Sequence, residues 1–410
     1  QGHSMKILVL GAGVIGVTTA YALASRGRDV TVIDAGPVGH GSSYGNAGLV
    51  SPSHSLPLAT PGVLGQGLRW LLDRNSPFYI KPRFDRALLS WLWRFRAAAN
   101  QKQASAAIPL LRELHLASRD LYDKWTALDG MDCAYARNGL LYVFRTHSGL
   151  DDAREEARLL QDSGLTSEFL DEDAVREIIP RLRAGAAGGV RFSEDAQMNP
   201  HDFVTGLARL AESAGATFLE RTEALGFTTA HGRITAVNTT RGEFRPAQVV
   251  LAAGAWSPGV ARDLRLKLPI QAAKGYSLTF HRPDPFPDIP LLLMEARVAV
   301  TPMGPLLRLA GTLEMTGMDL SINRRRVAAM QRAASDYLEG IDQLDLLEIW
   351  RGLRPCTPDG LPIVGRPPHW ENLVIAAGHA MIGQSLGPIT GEIVARLICD
   401  EDPAFDLHLL

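Results

Sequence analysis

Cysteine is scarce. The 410 residues hold three, Cys133, Cys356 and Cys399, far apart and with no Cys-x-x-Cys pair. That usage points to neither a disulfide framework nor a zinc site, and no metal is expected; a reducing compartment fits. Surplus charge of one sign is absent too: 42 lysines and arginines stand against 44 acids, a net charge of −2. Without a basic excess, nucleic acid is not an expected partner. No run of 18 apolar residues occurs, so no membrane-spanning helix is expected. Internal repeats and low-complexity linkers are missing as well. The residues before Met5 read as a tag remnant with no secretory leader after them, so the expectation is a cytoplasmic protein. What remains is an ordinary globular balance, 46% hydrophobic and 21% charged, in a chain long enough for two domains.

The first chemistry-bearing stretch is KILVLGAGVIGVTTAYALASRGRDVTVIDAG. Ile7 to Leu10 form an apolar strand, and Gly11, Gly13 and Gly16 come next at G-x-G-x-x-G spacing around Val14 and Ile15. A helical pattern runs over residues 17–25, and a second strand ends at Asp34 and Ala35. Gly11 permits the tight turn, Gly13 lets the backbone approach a pyrophosphate, and Gly16 lets helix and strand pack closely. The helix N-terminus offers N–H groups and a positive dipole end to phosphate. Asp34 suits a ribose hydroxyl and would repel a 2′-phosphate. The alternative is an α/β turn whose glycines serve packing alone. The motif does not choose between nicotinamide and flavin.

The next stretch is not another βα repeat but GHGSSYGNAGLVSP, residues 39–52. Ser42, Ser43 and Asn46 supply polar groups. Gly45, Ala47 and Gly48 keep the backbone uncrowded up to Leu49. A cofactor extended over a loop would use such a stretch; a Gly/Ser surface loop is the other reading. Residues 62–100 carry Trp70, Trp91 and Trp93 among Arg69, Arg74, Arg83, Arg86, Arg94 and Arg96. The amphipathic part, 88–98, is read either as a core-facing helix with arginines reaching out to solvent or as an interfacial membrane helix. Helices are expected over 106–128, 151–162, 201–215 and 324–338, and strands over 139–145, 247–257 and much of 268–311. A strand, the pair Gly378-His379 and a helix over about 387–398 close the chain. The fold class expected is α/β with an α+β second domain, a Rossmann-like domain interleaved with a mixed-sheet one.

Four stretches together resemble the FAD-dependent D-amino-acid oxidase superfamily, and within it the branch of the bacterial D-amino-acid dehydrogenase small subunit. They are GAGVIG…VIDAG, SSYGNAGLVSPSHSLPLATPGV, VVLAAGAWS…KGYSLT and RGLRPCTPDGLPIVG…NLVIAAGHAMIGQSLGP, in the family's order across nearly the whole chain. The resemblance implies FAD as cofactor. It implies an FAD-binding domain from residues 5–55, 188–265 and 350–410, and a substrate domain from 56–187 and 266–349. It puts pyrophosphate on Gly11 to Gly16, ribose on Asp34, and the dinucleotide along Ser42, Ser43, Asn46, Ala47 and Gly48. Ala224 would meet adenine through its backbone, and Ala253, Gly254 and Trp256 would close over the dinucleotide. Gly378, His379, Ile382, Gly383, Gln384 and Ser385 would line the flavin's pyrimidine edge, although His379 read alone is a structural histidine at a turn.

The resemblance also gives Arg354 a task, gripping the substrate carboxylate. A planar guanidinium fixes a carboxylate by two parallel hydrogen bonds and so orients Cα. The competing reading is an ion pair of Arg354 with Asp359 or Glu348; Asp359 is expected to cap its turn instead. The sequence departs from the family where tyrosines usually cover the substrate: Met294, Val298 and Ala299 stand there, with Tyr276 the nearest aromatic candidate. Met381 stands where related glycine oxidases carry a second arginine. Cys356 is read as a small core residue. The expected activity is oxidation of a D-amino acid, D-proline and hydroxy-D-proline among the candidates, by hydride transfer from Cα to flavin N5. The expected electron acceptor is a quinone or another acceptor in preference to oxygen, and a peripheral contact at the inner face of the cell membrane is among the expectations. Alternatives are a glycine or sarcosine oxidase releasing hydrogen peroxide, a non-catalytic FAD-bound subunit, and a nicotinamide enzyme.

Overall fold

The computed structural model describes residues 5–59, 78–161 and 164–410. Its first layer is a six-stranded sheet. The strands are β1 (Lys6–Leu10), β2 (Asp29–Ile33), β9 (Thr217–Leu219), β13 (Gln248–Leu251), β19 (Ile363–Gly365) and β20 (Leu373–Ala377). They lie in the order β19-β20-β13-β1-β2-β9. All neighbours are parallel except β19 with β20. Alternation sends Ile7 and Val9 to one face and Leu8 and Leu10 to the other. The first face packs on α1 (Val14–Ala24), α3 (Gln101–Thr126), α6 (Pro200–Ser213) and α9 (Gly383–Ile398). The second is covered by a small sheet of β10 (Ala224–Ala230), β11 (Arg233–Thr239) and β12 (Gly242–Phe244). Both faces are therefore dry, as a parallel sheet requires.

The second layer is a nine-stranded mixed sheet. Its strands are β4 (Phe78–Ile80), β5 (Leu140–Phe144), β6 (Glu168–Leu170), β7 (Gly188–Phe192), β14 (Gln271–His281), β15 (Leu291–Leu293), β16 (Val298–Met303), β17 (Leu306–Met315) and β18 (Leu346–Cys356). They lie in the order β18-β14-β17-β16-β15-β5-β7-β6, with β4 beside β17. One face carries Tyr276, Leu278, Val298, Val300 and Leu309. It is buried under α5 (Glu172–Ile178) and α8 (Arg324–Ser335). A two-stranded ribbon, β3 (Leu49–Val50) with β8 (Ala196–Gln197), lies between the layers. Three further helices are α2 (Arg86–Ala98), α4 (His147–Gln161) and the short α7 (Ser257–Val260).

The sheets divide the chain elsewhere than at residues 188 and 350. Strand β7 and all of β18 belong to the nine-stranded sheet, while α3 packs with the helices of the six-stranded one. Tertiary packing decides this, because one long amphipathic helix can serve either layer. Of the tryptophan-rich stretch, Trp70, Arg69 and Arg74 lie outside the described residues. In α2, Leu88 and Trp91 are buried, while Trp93 is 72% exposed. Among the described residues no helix is long and apolar enough to cross a membrane.

Candidate active site

The glycine turn stands at the carboxyl edge of the parallel sheet, and each glycine meets a different constraint. Gly11 has φ +114°, and a Cβ there would lie 2.5 Å from the Ala252 carbonyl oxygen. A Cβ on Gly16 would overlap the Gly11 carbonyl. Gly13 is different: the nearest atom to a Cβ would be Ser43 Oγ at 3.4 Å, so the space it leaves is open. Gly13 caps α1 without a side-chain bond, and no acid occupies the first turn. Ser43 Oγ accepts the Val14 N–H at 2.9 Å. Asp34 accepts from the Ala12 N–H (2.7 Å) and the Gly36 N–H (2.8 Å), which orients its carboxylate at the end of β2. The Thr222 N–H donates to the Asp34 carbonyl, which brings the segment before Ala224 to the same place.

A second helix N-terminus arrives beside the first. Thr18 Oγ1 donates to the Gly387 carbonyl at 2.9 Å, and a Cβ on Gly387 would lie 2.6 Å from Val14. Helix α9 begins at Gly383, after Ile382 as N-cap, again with no acid in its first turn. Gln384 Nε2 donates to Tyr122 Oη while its Oε1 is buried without a partner, and Ser385 Oγ accepts the Ser51 N–H and meets His115 Nδ1. The turn can offer its backbone N–H groups to a ligand, and Gln384 Oε1 is its one side-chain atom here left unpaired. Gly378 has φ +82° and packs on Thr357. Ala253 and Gly254 come directly after β13, and Trp256, 43% exposed, sits at the rim.

The loop between Ser42 and Gly48 joins these termini to the nine-stranded sheet. Ser42 Oγ donates to the Leu353 carbonyl at 2.6 Å, and Asn46 Oδ1 accepts the Gly48 N–H. Gly45 packs against the ring of Trp350, which also covers Gly352. Two helix N-termini, an open Gly13 and a small-residue loop come together in a cradle whose free N–H groups could hold an extended anion.

Register identifies which side chains face this cradle. Trp350, Ser277, Ala310, Ala299, Leu292 and Tyr142 form one row of adjacent partners across the sheet. Partners share a face, and so do residues two apart along a strand. Arg354, paired with Ala273, is thus on the Trp350 face. The middle of that face is small: Gly275, Gly352, Ser277, Ala299 and Ala310 leave room beneath an aromatic at each side. The Ser277 hydroxyl is buried without a partner. The guanidinium of Arg354 lies over Gly275 and donates to the Thr312 carbonyl at 2.8 Å. No carboxylate lies within salt-bridge distance of it among the described residues. Asp359 instead accepts the Leu361 N–H, and Glu348 is six residues along the strand. Burial pulls the Arg354 pKa below its ordinary value, the mark of a desolvated charge with no anion beside it.

Several expectations are corrected. Tyr276 is on the opposite face: its hydroxyl accepts the Asn323 N–H (3.1 Å) and reaches Glu314, and its ring is core. An odd offset along β14 from Ala273 put it there, and strand pairing could not be read without the sheet. Val298 faces the same core, whereas Ala299 faces the cradle. His379 is buried and neutral near pH 7, its pKa pushed down to about 3 by burial, and its Nε2 meets Thr390 Oγ1 on α9. It therefore braces a turn. Arg354 lies near the end of an eleven-residue strand, with Pro355 paired to Ala272. Cys356 is buried, its thiol pushed up to about 12, and its carbonyl accepts the Trp91 Nε1–H at 2.8 Å.

Sequence reasoning missed Trp350, Tyr142 and His54. His54 stands 6.0 Å from the Tyr142 ring, and burial lowers its pKa to about 4. Its neighbour Ser53 donates its N–H to Asp195 at 3.0 Å. Only the strand order could have revealed these, because Tyr142 and Trp350 are 208 residues apart and five strand pairings separate them. No group of three or more His, Cys, Asp or Glu side chains among the described residues could hold a metal.

Residues 6–397 match the family model described as FAD dependent oxidoreductase, DAO. The chain is 34% identical over 410 residues to a D-amino acid dehydrogenase of Cereibacter sphaeroides, covering 98% of this chain and 93% of that protein. It is equally 34% identical over 412 residues to a D-amino acid dehydrogenase of Agrobacterium fabrum, covering 98% of each. Among solved structures it is similar to glycine oxidase from Geobacillus kaustophilus, with a TM-score of 0.81 at 25% identity, over 99% of this chain and 98% of that one.

Proposed function

Since the chain belongs to the DAO family of FAD-dependent oxidoreductases, we propose that it oxidises a D-amino acid to the imino acid. The observation that carries this reading is Arg354, a half-buried cation without a carboxylate partner at the end of a small-floored face. A substrate carboxylate completes it, by two parallel bonds that orient Cα toward the cradle. Bound FAD supplies a two-electron acceptor for the hydride leaving Cα, at flavin N5. In this reading Gly11, Gly13, Val14, Ile15 and Gly16 hold the diphosphate with the α1 N-terminus, and Asp34 and Ala35 stand at the ribose. The loop Ser42, Ser43, Asn46, Ala47, Gly48 and Leu49 runs along the dinucleotide. Ala224, Ala253, Gly254 and Trp256 flank its adenine half. Gly378, Ile382, Gly383, Gln384 and Ser385 present the α9 N-terminus to the flavin, while His379 supports that turn from behind.

The relatives named D-amino acid dehydrogenase favour a D-substrate and an acceptor other than oxygen. Tyr142, Leu292 and Met294 form an apolar wall that suits D-proline and hydroxy-D-proline as well as open-chain substrates. Water then converts an open-chain imino acid to the 2-oxo acid and ammonia. The acceptor we propose is a quinone. Phe84, Leu89 and Trp93 are exposed beside Arg86, Arg94 and Arg96, a surface of the kind that sits on anionic lipid; sedimentation with anionic but not zwitterionic vesicles is the expected result, and none with either removes the contact. The glycine oxidase likeness favours a second reading, an oxidase. Anaerobic flavin bleaching against a panel of D- and L-amino acids, with D-proline, hydroxy-D-proline, glycine and sarcosine, decides. Bleaching by D-substrates without stoichiometric peroxide in air supports the dehydrogenase; peroxide equal to substrate consumed supports the oxidase; no bleaching by any of them leaves a non-catalytic FAD subunit.

A further inference from the structure

Arg308 is buried, 4% exposed, and like Arg354 it has no carboxylate within salt-bridge distance among the described residues. It belongs to β17, paired with Thr279 and Thr301, and Thr279 pairs with Glu348. It therefore shares the face of Trp350 and Arg354. Glu348 is six residues from Arg354 along β18, so Arg308 stands about 20 Å from the substrate end of the face. Its hydrogen bonds go to neutral oxygens. Nε donates to Thr279 Oγ1 at 3.2 Å, and Nη1 donates to the carbonyls of Tyr44 (3.2 Å) and Asn46 (3.0 Å).

Those two carbonyls lie in the loop over the cradle. In a trans peptide the carbonyl and the N–H of the next residue point in opposite directions. Holding the Tyr44 and Asn46 carbonyls toward Arg308 therefore turns the Gly45 and Ala47 N–H groups away from the sheet. The same loop meets the α1 N-terminus through Ser43 and the sheet through Ser42. A flexible glycine-containing loop needs such a clamp to hold its donors in register before a ligand arrives.

We propose that Arg308 is a positioning residue for the dinucleotide. It fixes the loop from Ser42 to Gly48 so that the Gly45 and Ala47 amides face the anionic cofactor, and it leaves a positive charge beneath that loop. The proposal rests on the FAD reading above. Its test is FAD binding to apoprotein, with thermal unfolding of apo and FAD-loaded protein, for the wild type, Arg308→Gln, Arg308→Lys and Thr279→Val. Arg308→Gln is expected to weaken FAD roughly 10- to 100-fold and to shrink the rise in Tm that FAD causes, because binding to the native state alone sets that rise. Arg308→Lys, which keeps the charge but not the forked geometry, should fall between, and so should Thr279→Val, which removes the oxygen that holds the Arg308 Nε–H. Equal FAD affinity in wild type, Gln and Lys variants overturns the proposal. So does an equal fall in apo and loaded Tm with the rise unchanged, which marks a purely structural arginine. Should Arg308→Gln fail to fold, the Lys variant decides by the same criteria. A wild-type apoprotein that takes up no FAD would instead sink the FAD reading, which keeps the two failures distinct.

Discussion

Arg354 and Tyr276 are two polar residues on neighbouring strands with opposite fates. Arg354 turns toward Gly275 and keeps donors for a ligand; Tyr276 turns into the core beneath α8. Arg354→Ala is expected to lose roughly 2–5 kcal/mol of carboxylate recognition, read as kcat/KM, with flavin content intact. Unchanged kinetics would remove Arg354 from the site. Tyr276→Phe should leave kcat/KM within about twofold while costing about 1 kcal/mol of stability through the lost bonds to Glu314 and Asn323. A large fall in kcat with stability retained would return Tyr276 to the chemistry. The pair shows why the arginine could be singled out in the sequence and the tyrosine misplaced. A charge in an apolar strand needs an anion wherever it points, whereas a tyrosine suits either face.

At the scale of elements, α1 and α9 matter through their ends. Gly387 and Gly391 let the two helices approach until Val14 and Thr18 touch them, so both N-termini reach the same edge of the sheet. In the function proposed above, the opening left at Gly13 takes the diphosphate. Gly13→Val is expected to purify without flavin yet keep its far-ultraviolet dichroism, since its φ of −77° is open to any residue and only the ligand space is lost. A yellow Gly13→Val protein with full occupancy would sink the diphosphate assignment. The glycine motif, its strand and its helix were readable in advance because every part is local. The α9 terminus was readable only as a Gly-His turn before a helix, since the approach to α1 joins positions 369 residues apart.

At the scale of the molecule, the seam between the two layers runs through the loop from Leu49 to Ser55, held to β8 and to Asp195. Asp195 is fully buried, and burial raises its pKa to about 7, with the bonds from Ser53 and the charge of Arg112 opposing. Its folded pKa exceeds the unfolded one, so the folded state holds the proton more tightly between those two values. The cost of ionising it is absent at low pH, grows through that window and is complete above about pH 7. Asp195→Asn, which cannot ionise, should therefore gain in Tm relative to the wild type as pH rises from about 5 to 8. A Tm difference that stays constant across that range would mean that Asp195 is ionised throughout.

By itself the sequence determined the local pieces: a strand-turn-helix with glycines at G-x-G-x-x-G spacing, a small-residue loop, an amphipathic helix over 88–98, and an arginine set in an apolar stretch. Each stems from chain geometry over a few residues. The tertiary structure alone decided which strands adjoin, and with that which faces meet. It sent Tyr276 and Val298 to the core, brought Tyr142 and Trp350 to the edges of one trough, and set Arg308 under the loop from Ser42 to Gly48. The reason is the two-residue period of a strand: position in the chain says that neighbours face opposite ways, but only the packed sheet says which way is in.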